Sequence, residues 1–371
     1  MAPARLATAL LLVTACSAMD PVPKPAQSVA ANRTATGFQN SDRSVQPKGL
    51  GELLSWQWQR ARAGLPPRAQ EPTPTVAPDL AFLHANAAAG AGMVPAITWI
   101  GHATMLVQAS GLNVLTDPIF SERAAPVQWA GPRRVAAPGV ALRDLPHIDV
   151  VLISHNHYDH LDKASVQALA AQPGGSPRFL VPLGLKAWMA DAGITRVEEL
   201  DWWDERTLGA VQFHLTPVQH WSSRTPWDRN RTLWGGWAVL GPGFQWYFAG
   251  DTGYSGDFVR TRERFAPRQS AALGGGFDIA LIPIGAYEPR WFMRGQHVNP
   301  DEAVQIHLDL GAKRSVGVHW GTFSLTDEAL DQPPRDLMQA RRHHAVPDGD
   351  FFVLAVGETR RLPPRTPEPT R

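Results

Sequence analysis

Asp149-Val150-Val151-Leu152-Ile153-Ser154-His155-Asn156-His157-Tyr158-Asp159-His160-Leu161-Asp162 is the stretch that decides the fold. The apolar run from Ile148 reads as a buried strand that ends at Ser154. Three imidazoles and a carboxylate follow it within six residues: His155, His157, Asp159 and His160. A single polar residue past a strand end needs no explanation, but four such groups crowded together waste stability unless something holds them. Neutral imidazole and carboxylate suit zinc and other divalent transition metals.

Outward from that loop, the pattern is that of a mixed α/β domain. Strand-like runs cover 97–107, 112–115, 178–181, 211–216, 237–240, 244–248, 278–283, 314–319 and 351–356. Helix-like stretches lie near 163–171, 185–192, 255–264 and 300–310. The last of these has Asn299 as N-cap, Asp301 and Glu302 in its first turn, and Gly311 as its stop. No fixed-period repeat is visible.

Composition narrows the chemistry. The chain has 371 residues, 44% of them hydrophobic, enough for a sizeable core. Lys and Arg number 35 against 34 Asp and Glu, so no global basic field points to nucleic acid. The one cysteine, Cys16, excludes an internal disulfide, a Cys-rich zinc site and an iron–sulfur cluster. No Gly-x-Ser-x-Gly elbow is present. A metal site in this chain would have to be built from His and Asp.

The 155–160 segment is the His-x-His-x-Asp-His motif of the metallo-β-lactamase fold, and the rest of the chain resembles that fold in order. The resemblance implies a four-layer αββα sandwich with two metals. One metal takes His155, His157 and His220, the other takes Asp159, His160 and His319, and Asp251 bridges them. The implied ions are zinc, with iron or manganese as alternatives. A closer resemblance, over residues 95–330, is to the N-acylphosphatidylethanolamine-hydrolysing phospholipase D family. It rests on Thr98-Trp99-Ile100-Gly101-His102-Ala103-Thr104, Leu115-Thr116-Asp117-Pro118, Trp129-Ala130-Gly131-Pro132-Arg133-Arg134, Gly295-Gln296-His297-Val298-Asn299-Pro300 and His319-Trp320-Gly321-Thr322-Phe323.

That resemblance implies attack at phosphorus, releasing N-acylethanolamine and phosphatidic acid. Asp117 would orient a ligand imidazole through its second N–H, the competing role being a cap on the Asp117-Pro118 turn. His297, in a loop before a helix and away from the ligand set, would contact the substrate phosphate or pass a proton to the leaving oxygen. Its bland alternative is a satisfied structural histidine. Tyr158 and Trp221 are candidates for lining the substrate entrance. Arg224, Arg229 and Arg231 would meet lipid phosphates or be ordinary solvated charges. His102 reads as structural, and His84, His147, His214, His307, His343 and His344 carry no motif. Rival functions are a lactonase, a soluble phosphodiesterase, or a non-catalytic envelope lipoprotein.

The amino terminus has its own logic. Arg5 followed by the apolar run Leu6–Ala15 reads as a secretory signal, too short to span a bilayer. Val13-Thr14-Ala15-Cys16 looks like a lipobox with Cys16 as the lipidated residue, against a plain signal peptide with an incidental cysteine. The expected setting is the bacterial envelope: the outer membrane in a Gram-negative cell, facing the periplasm. Expected partners are a phospholipid and a membrane surface, with oligomeric state open and a homodimer among the options. Residues 17–95 read as a Pro/Ala-rich leader ahead of a catalytic domain at 96–360, with a disordered tail at 361–371. Within the leader, Leu50, Leu53, Leu54, Trp58 and Ala61 share one helical face. That face either packs on the domain or rests on lipid, with Trp56 and Trp58 at headgroup depth.

Overall fold

The computed structural model describes residues 32–45 and 48–365. Its strands are β1 (Ala96–Gly101), β2 (Thr104–Ala109), β3 (Leu112–Thr116), β4 (Val150–Leu152), β5 (Arg178–Pro182), β6 (Val197–Leu200), β7 (Glu205–Leu208), β8 (Val211–Thr216), β9 (Gly236–Leu240), β10 (Gln245–Phe248), β11 (Ile279–Pro283), β12 (Ser315–Val318), β13 (Phe351–Phe352) and β14 (Thr359–Arg361). They form two seven-stranded sheets, β14-β1-β2-β3-β4-β5-β6 and β13-β12-β11-β10-β9-β8-β7. The helices are α1 (Leu50–Ala63), α2 (Leu80–Ala88), α3 (Lys163–Ala170), α4 (Lys186–Asp191), α5 (Asp257–Phe265), α6 (Arg290–Met293), α7 (Pro300–Leu310) and α8 (Gln332–His343).

Both sheets are covered on both faces, which is why their strands read as continuous apolar runs. Alternation still sorts the side chains. Trp99, Met105, Val107, Val150, Leu152 and Leu180 of the first sheet join Phe213, Leu215, Trp237, Val239 and Phe248 of the second in one inter-sheet core. The alternate residues Leu106, Leu115, Val151, Phe179 and Val181 pack outward with Leu83 of α2, Val166 and Leu169 of α3 and Met189 of α4. Phe258, Val304, Ile306 and Leu337 of α5, α7 and α8 back the second sheet. The result is helix, sheet, sheet, helix.

The switch from antiparallel to parallel pairing positions the site. In the first sheet β3 pairs parallel to β4 and β4 to β5, and in the second β10 to β11 and β11 to β12. The ends of β3, β4, β8, β10 and β12 therefore deliver Asp117, the 154–162 loop, His220, Asp251 and His319 to one edge of the sandwich. Ligands bind at such strand ends in open α/β sheets.

The structure differs from the sequence expectation at several places. The run 97–107 is two strands, because Gly101 (φ 134°) and His102 (φ 54°) make a tight turn that an ordinary strand residue resists. The leader is not a separate tether between residues 32 and 95. Asn32 and Arg33 bond to Asp201, Phe38 is buried, and Thr75 bridges Val356. The tail stays ordered to Arg365, which is buried and bonded to Leu273, Gly275 and Asp278. Helix α1 turns the other way from the packed alternative. Only Trp56 is buried, stacked 4.8 Å from Phe292 with its N–H donated to Asp327, while Leu50, Leu54 and Trp58 are 79%, 69% and 61% exposed. Among the described residues no helix is long and apolar enough to cross a membrane. The signal segment and Cys16 lie outside the described residues.

Candidate metal centre

Two clusters of ligand atoms meet at Asp251. At the first, His155 Nε2 lies 2.8 Å from His157 Nδ1, which lies 3.4 Å from His220 Nε2. His155 Nε2 and His220 Nε2 each lie 3.9 Å from Asp251 Oδ2. At the second, Asp159 Oδ2 is 3.4 Å from both His160 Nε2 and His319 Nε2. Asp251 Oδ2 is 3.0 Å from His160 Nε2 and 3.2 Å from His319 Nε2. Ligand atoms of a tetrahedral ion with bonds of about 2.0–2.1 Å sit about 3.3 Å apart. Both clusters therefore have the size that a divalent ion requires.

The unsatisfied atoms point the same way. His160 Nε2, His319 Nε2 and Asp251 Oδ1 are buried without a hydrogen-bond partner. Buried polar groups are normally paired, so a knot of orphans marks a place prepared for a ligand. The remaining nitrogens of three imidazoles are engaged elsewhere. His155 Nδ1 meets Ser154 Oγ at 2.8 Å, His160 Nδ1 meets Asp117 Oδ2 at 2.7 Å, and His220 Nδ1 meets the Gln296 carbonyl at 2.8 Å. Such contacts fix the ring orientation and tautomer of a metal-binding histidine.

Strained backbone surrounds the cluster. His102, Asp117 and His319 all carry positive φ, at 54°, 32° and 62°. Non-glycine residues adopt that region at a cost, and sites of this kind concentrate where function demands a particular aim. Gly250 (φ 61°) makes the turn before Asp251, and a Cβ there would sit 2.6 Å from Ser154 Cβ. The strand end β10 and the 154–162 loop can meet only over a glycine.

The electrostatics divide the centre. Burial, joined by neighbouring imidazoles, holds His155 well below its usual range. Burial likewise lowers His157 to about 4 and His220 to about 3. For His160 and His319 burial also acts downward, but the Asp251 and Asp159 carboxylates outweigh it. They lift His160 well above the ordinary value and His319 to about 9. Burial pushes Asp159 and Asp251 upward, and the facing imidazoles overcome that and hold both well below the carboxylate range.

The seven sequence-derived ligand candidates are thus brought together. Asp117 reaches His160 and also accepts from the Ser154 N–H at 2.7 Å, which ties the end of β3 to the metal loop, while the Ile119 and Phe120 N–H groups beyond Pro118 go to Thr104 and Ser165 rather than to Asp117. His297 is not remote: its ring lies 5.2 Å from that of His220 and 5.5 Å from that of His319. Trp221 packs edge-on to His157 at 4.4 Å. Tyr158 donates its hydroxyl to the Arg224 carbonyl. Arg224 bonds the carbonyls of Asn156 and Leu161, so it braces the metal loop from behind. His102 was missed. Its Nε2 lies 3.0 Å from Asp159 Oδ2 and its ring 4.0 Å from that of His319. The signal available was its place after a glycine between two apolar strands.

A cavity of about 560 Å³ opens beside His220. Trp221, Trp291 and Phe292 give it an aromatic wall, and Lys48, Arg229 and Arg294 bring cations.

Comparison with known proteins gives the family and the fold. Residues 112–320 match the family described as the β-lactamase superfamily domain. The chain is 40% identical over 275 residues to N-acyl-phosphatidylethanolamine-hydrolyzing phospholipase D 1 of Caenorhabditis elegans, covering 70% of this chain and 74% of that one. The chain belongs to this phospholipase D family within the β-lactamase superfamily. A mitochondrial member from Saccharomyces cerevisiae is 37% identical over 65% of this chain and 50% of its own length. Among solved structures, an isothiocyanate hydrolase from Delia radicum gut bacteria aligns with a TM-score of 0.55 and 21% identity. It covers 72% of this chain and 99% of that one, and shares the fold. Within the family, this chain is a metal-dependent hydrolase with the metallo-β-lactamase architecture.

Proposed function

We propose that this family member is a phospholipase D that hydrolyses N-acylated phosphatidylethanolamine at a two-ion centre, with zinc as the ion. The reading rests chiefly on the cavity beside His220. Its aromatic and cationic lining matches a ligand that is apolar at one end and anionic at the other. The names of the Caenorhabditis and Saccharomyces relatives support the same substrate.

His155, His157 and His220 would hold one ion, Asp159, His160 and His319 the other, and Asp251 both. When bound, such ions supply Lewis acidity toward phosphate oxygens and lower the pKa of water. The protein's own groups then set orientation. Asp117 and Ser154 fix the His160 and His155 rings. His297, held neutral because burial lowers it to about 3, offers an N–H toward the phosphate. Arg229, stacked over Trp221, and Lys48 sit at the cavity wall to receive anionic oxygen. Water adds one oxygen to phosphorus, the P–O bond to the N-acylethanolamine breaks, and that oxygen leaves with a proton. No side chain becomes covalently attached.

The exposed face of α1 extends the reading to a membrane. Burying one large apolar side chain is worth about 1.5–3 kcal/mol. Leu50, Leu54 and Trp58 forgo that gain on α1, while Trp291 is half exposed on the cavity rim. A lipid surface would cover them and present substrate to the cavity. Lipidation at Cys16 would hold the enzyme there, in the cell envelope.

The test is a three-arm assay of metal-loaded protein on N-acylphosphatidylethanolamine, an acyl-homoserine lactone and a chromogenic phosphodiester. Release of N-acylethanolamine with phosphatidic acid is expected. Turnover of the lactone alone would overturn the reading.

A further inference from the structure

The leader approaches the metal centre closely between residues 37 and 45. Asn40 brackets the backbone of His220: its side-chain N–H donates to the His220 carbonyl at 2.9 Å, and its oxygen accepts the His220 N–H at 3.0 Å. The same oxygen accepts the Trp234 indole N–H at 3.0 Å. Each side of this contact is anchored. Phe38 is buried and its N–H donates to the Asn230 carbonyl at 2.8 Å. Ser41 donates to the buried Asp257 carboxylate at 2.7 Å, and the Asp42 carbonyl accepts from Gln219, the residue before His220. Gly37 lets the chain press against the 218–232 loop, since a Cβ there would stand 2.1 Å from the Asn230 carbonyl oxygen.

His220 needs such support. It stands at the start of a loop rather than in a strand, beyond β8, while His155 and His160 sit on the short 154–162 loop. Its ring is held at Nδ1 by another loop carbonyl, that of Gln296. Asn40, Ser44, Val45 and Lys48 also line the cavity beside it.

We propose that residues 37–45 are a strap that completes the three-imidazole end of the centre, with Asn40 as the positioning residue for His220. The proposal rests on His220 being a metal ligand and is independent of which ester is cleaved. Residues 37–45 precede the segment, 112–320, that matches the superfamily.

An internal control exists. Asn86, also in the leader, brackets Val94 in the same way, accepting its N–H at 2.8 Å and donating to its carbonyl at 2.9 Å, and its side chain bonds to none of the candidate ligands. The experiment measures stepwise cobalt(II) binding and the visible cobalt spectrum of wild type, Asn40→Ala and Asn86→Ala, with thermal unfolding alongside. Both variants should lose stability. Asn40→Ala alone should weaken one of the two binding steps, by about 10- to 100-fold as for other residues that support a ligand, and change the spectrum. Asn40→Asp keeps the acceptor for the His220 and Trp234 N–H groups and should recover part of the loss. Ser41→Ala, which loosens the strap without touching His220, should weaken the same step less, and serves if Asn40→Ala does not fold. Unchanged cobalt binding in the folded Asn40 variants and Ser41→Ala overturns the proposal, as does equal weakening in Asn86→Ala. Wild type that binds no pair of ions would instead overturn the ligand reading beneath it.

Discussion

The two ends of the candidate metal centre share Asp251, and behind it Asp117, which meets His160 and accepts from the Ser154 hydroxyl beside His155. At the His155, His157 and His220 end, three imidazoles face each other and the one shared carboxylate oxygen, and all three are held neutral by burial. At the other end, His160 and His319 face Asp159 as well as Asp251, and the carboxylates hold both rings cationic. The carboxylate end is ordered by its own ion pairs, together with Asp117 on His160 and His102 on Asp159. The imidazole end draws its order from outside, from Ser154, the Gln296 carbonyl and Asn40. The two ends differ because they face different amounts of negative charge: Asp159 and Asp251 lie within 3.4 Å of His160 and His319, whereas Asp251 lies 3.9 Å from His155 and His220.

Asp251→Asn strikes both ends at once and carries the largest expected effect. It should reduce metal content at each end and lower turnover by more than the roughly 100-fold typical of a supporting residue. Elemental analysis and the lipid assay check it, and a fully active variant would show that the shared carboxylate is misassigned. Asp117→Asn separates the ends. Asn tolerates the positive φ at this position, so the turn should survive. Metal competition with a chelator should show about a 10- to 100-fold loss at the step that uses His160, and a smaller loss at the other step, which Asp117 reaches only through Ser154 and His155. Equal loss at both steps would contradict the division.

Proton release is the subtlest difference. A ligand must be unprotonated to bind metal. His319, raised to about 9, and His160, raised well above its ordinary value, both carry protons at pH 7 without an ion. The other three histidines, lowered by burial, do not. Loading the carboxylate end should therefore release more protons from its ligands than loading the imidazole end. Calorimetric titration in buffers of differing ionisation enthalpy reads this, and equal release in the two steps would refute the asymmetry.

The ligands were legible in the sequence to different degrees. His155, His157, Asp159 and His160 announce themselves by crowding alone, because chemistry and spacing coincide within one loop. His220, Asp251 and His319 are scattered single residues, found only through resemblance to a family whose strand ends carry them in that order. His102 escaped because one histidine after a glycine has no spacing to betray it, and its meeting with Asp159 is made by the fold. The strap was hidden more completely. Asn40 sits in a Pro/Ala-rich leader of low periodicity, and its partner lies 180 positions away. Helix α1 shows a further limit: the period of its apolar residues was readable, but not which face would be covered. A single buried tryptophan, stacked on Phe292 and bonded to Asp327, outweighed a longer stripe of leucines. The apolar runs and the helices between them read by themselves only as a mixed α/β domain, and the αββα layering came from the resemblance carried by the 155–160 motif.

The central claim is that water attacks phosphorus at the Asp251-bridged centre and expels the N-acylethanolamine oxygen. Hydrolysis of N-acylphosphatidylethanolamine in ¹⁸O-labelled water, with mass analysis of both products, tests it most directly. The label should appear in phosphatidic acid and not in the N-acylethanolamine. Label in the N-acylethanolamine, or turnover without phosphatidic acid, would contradict the account.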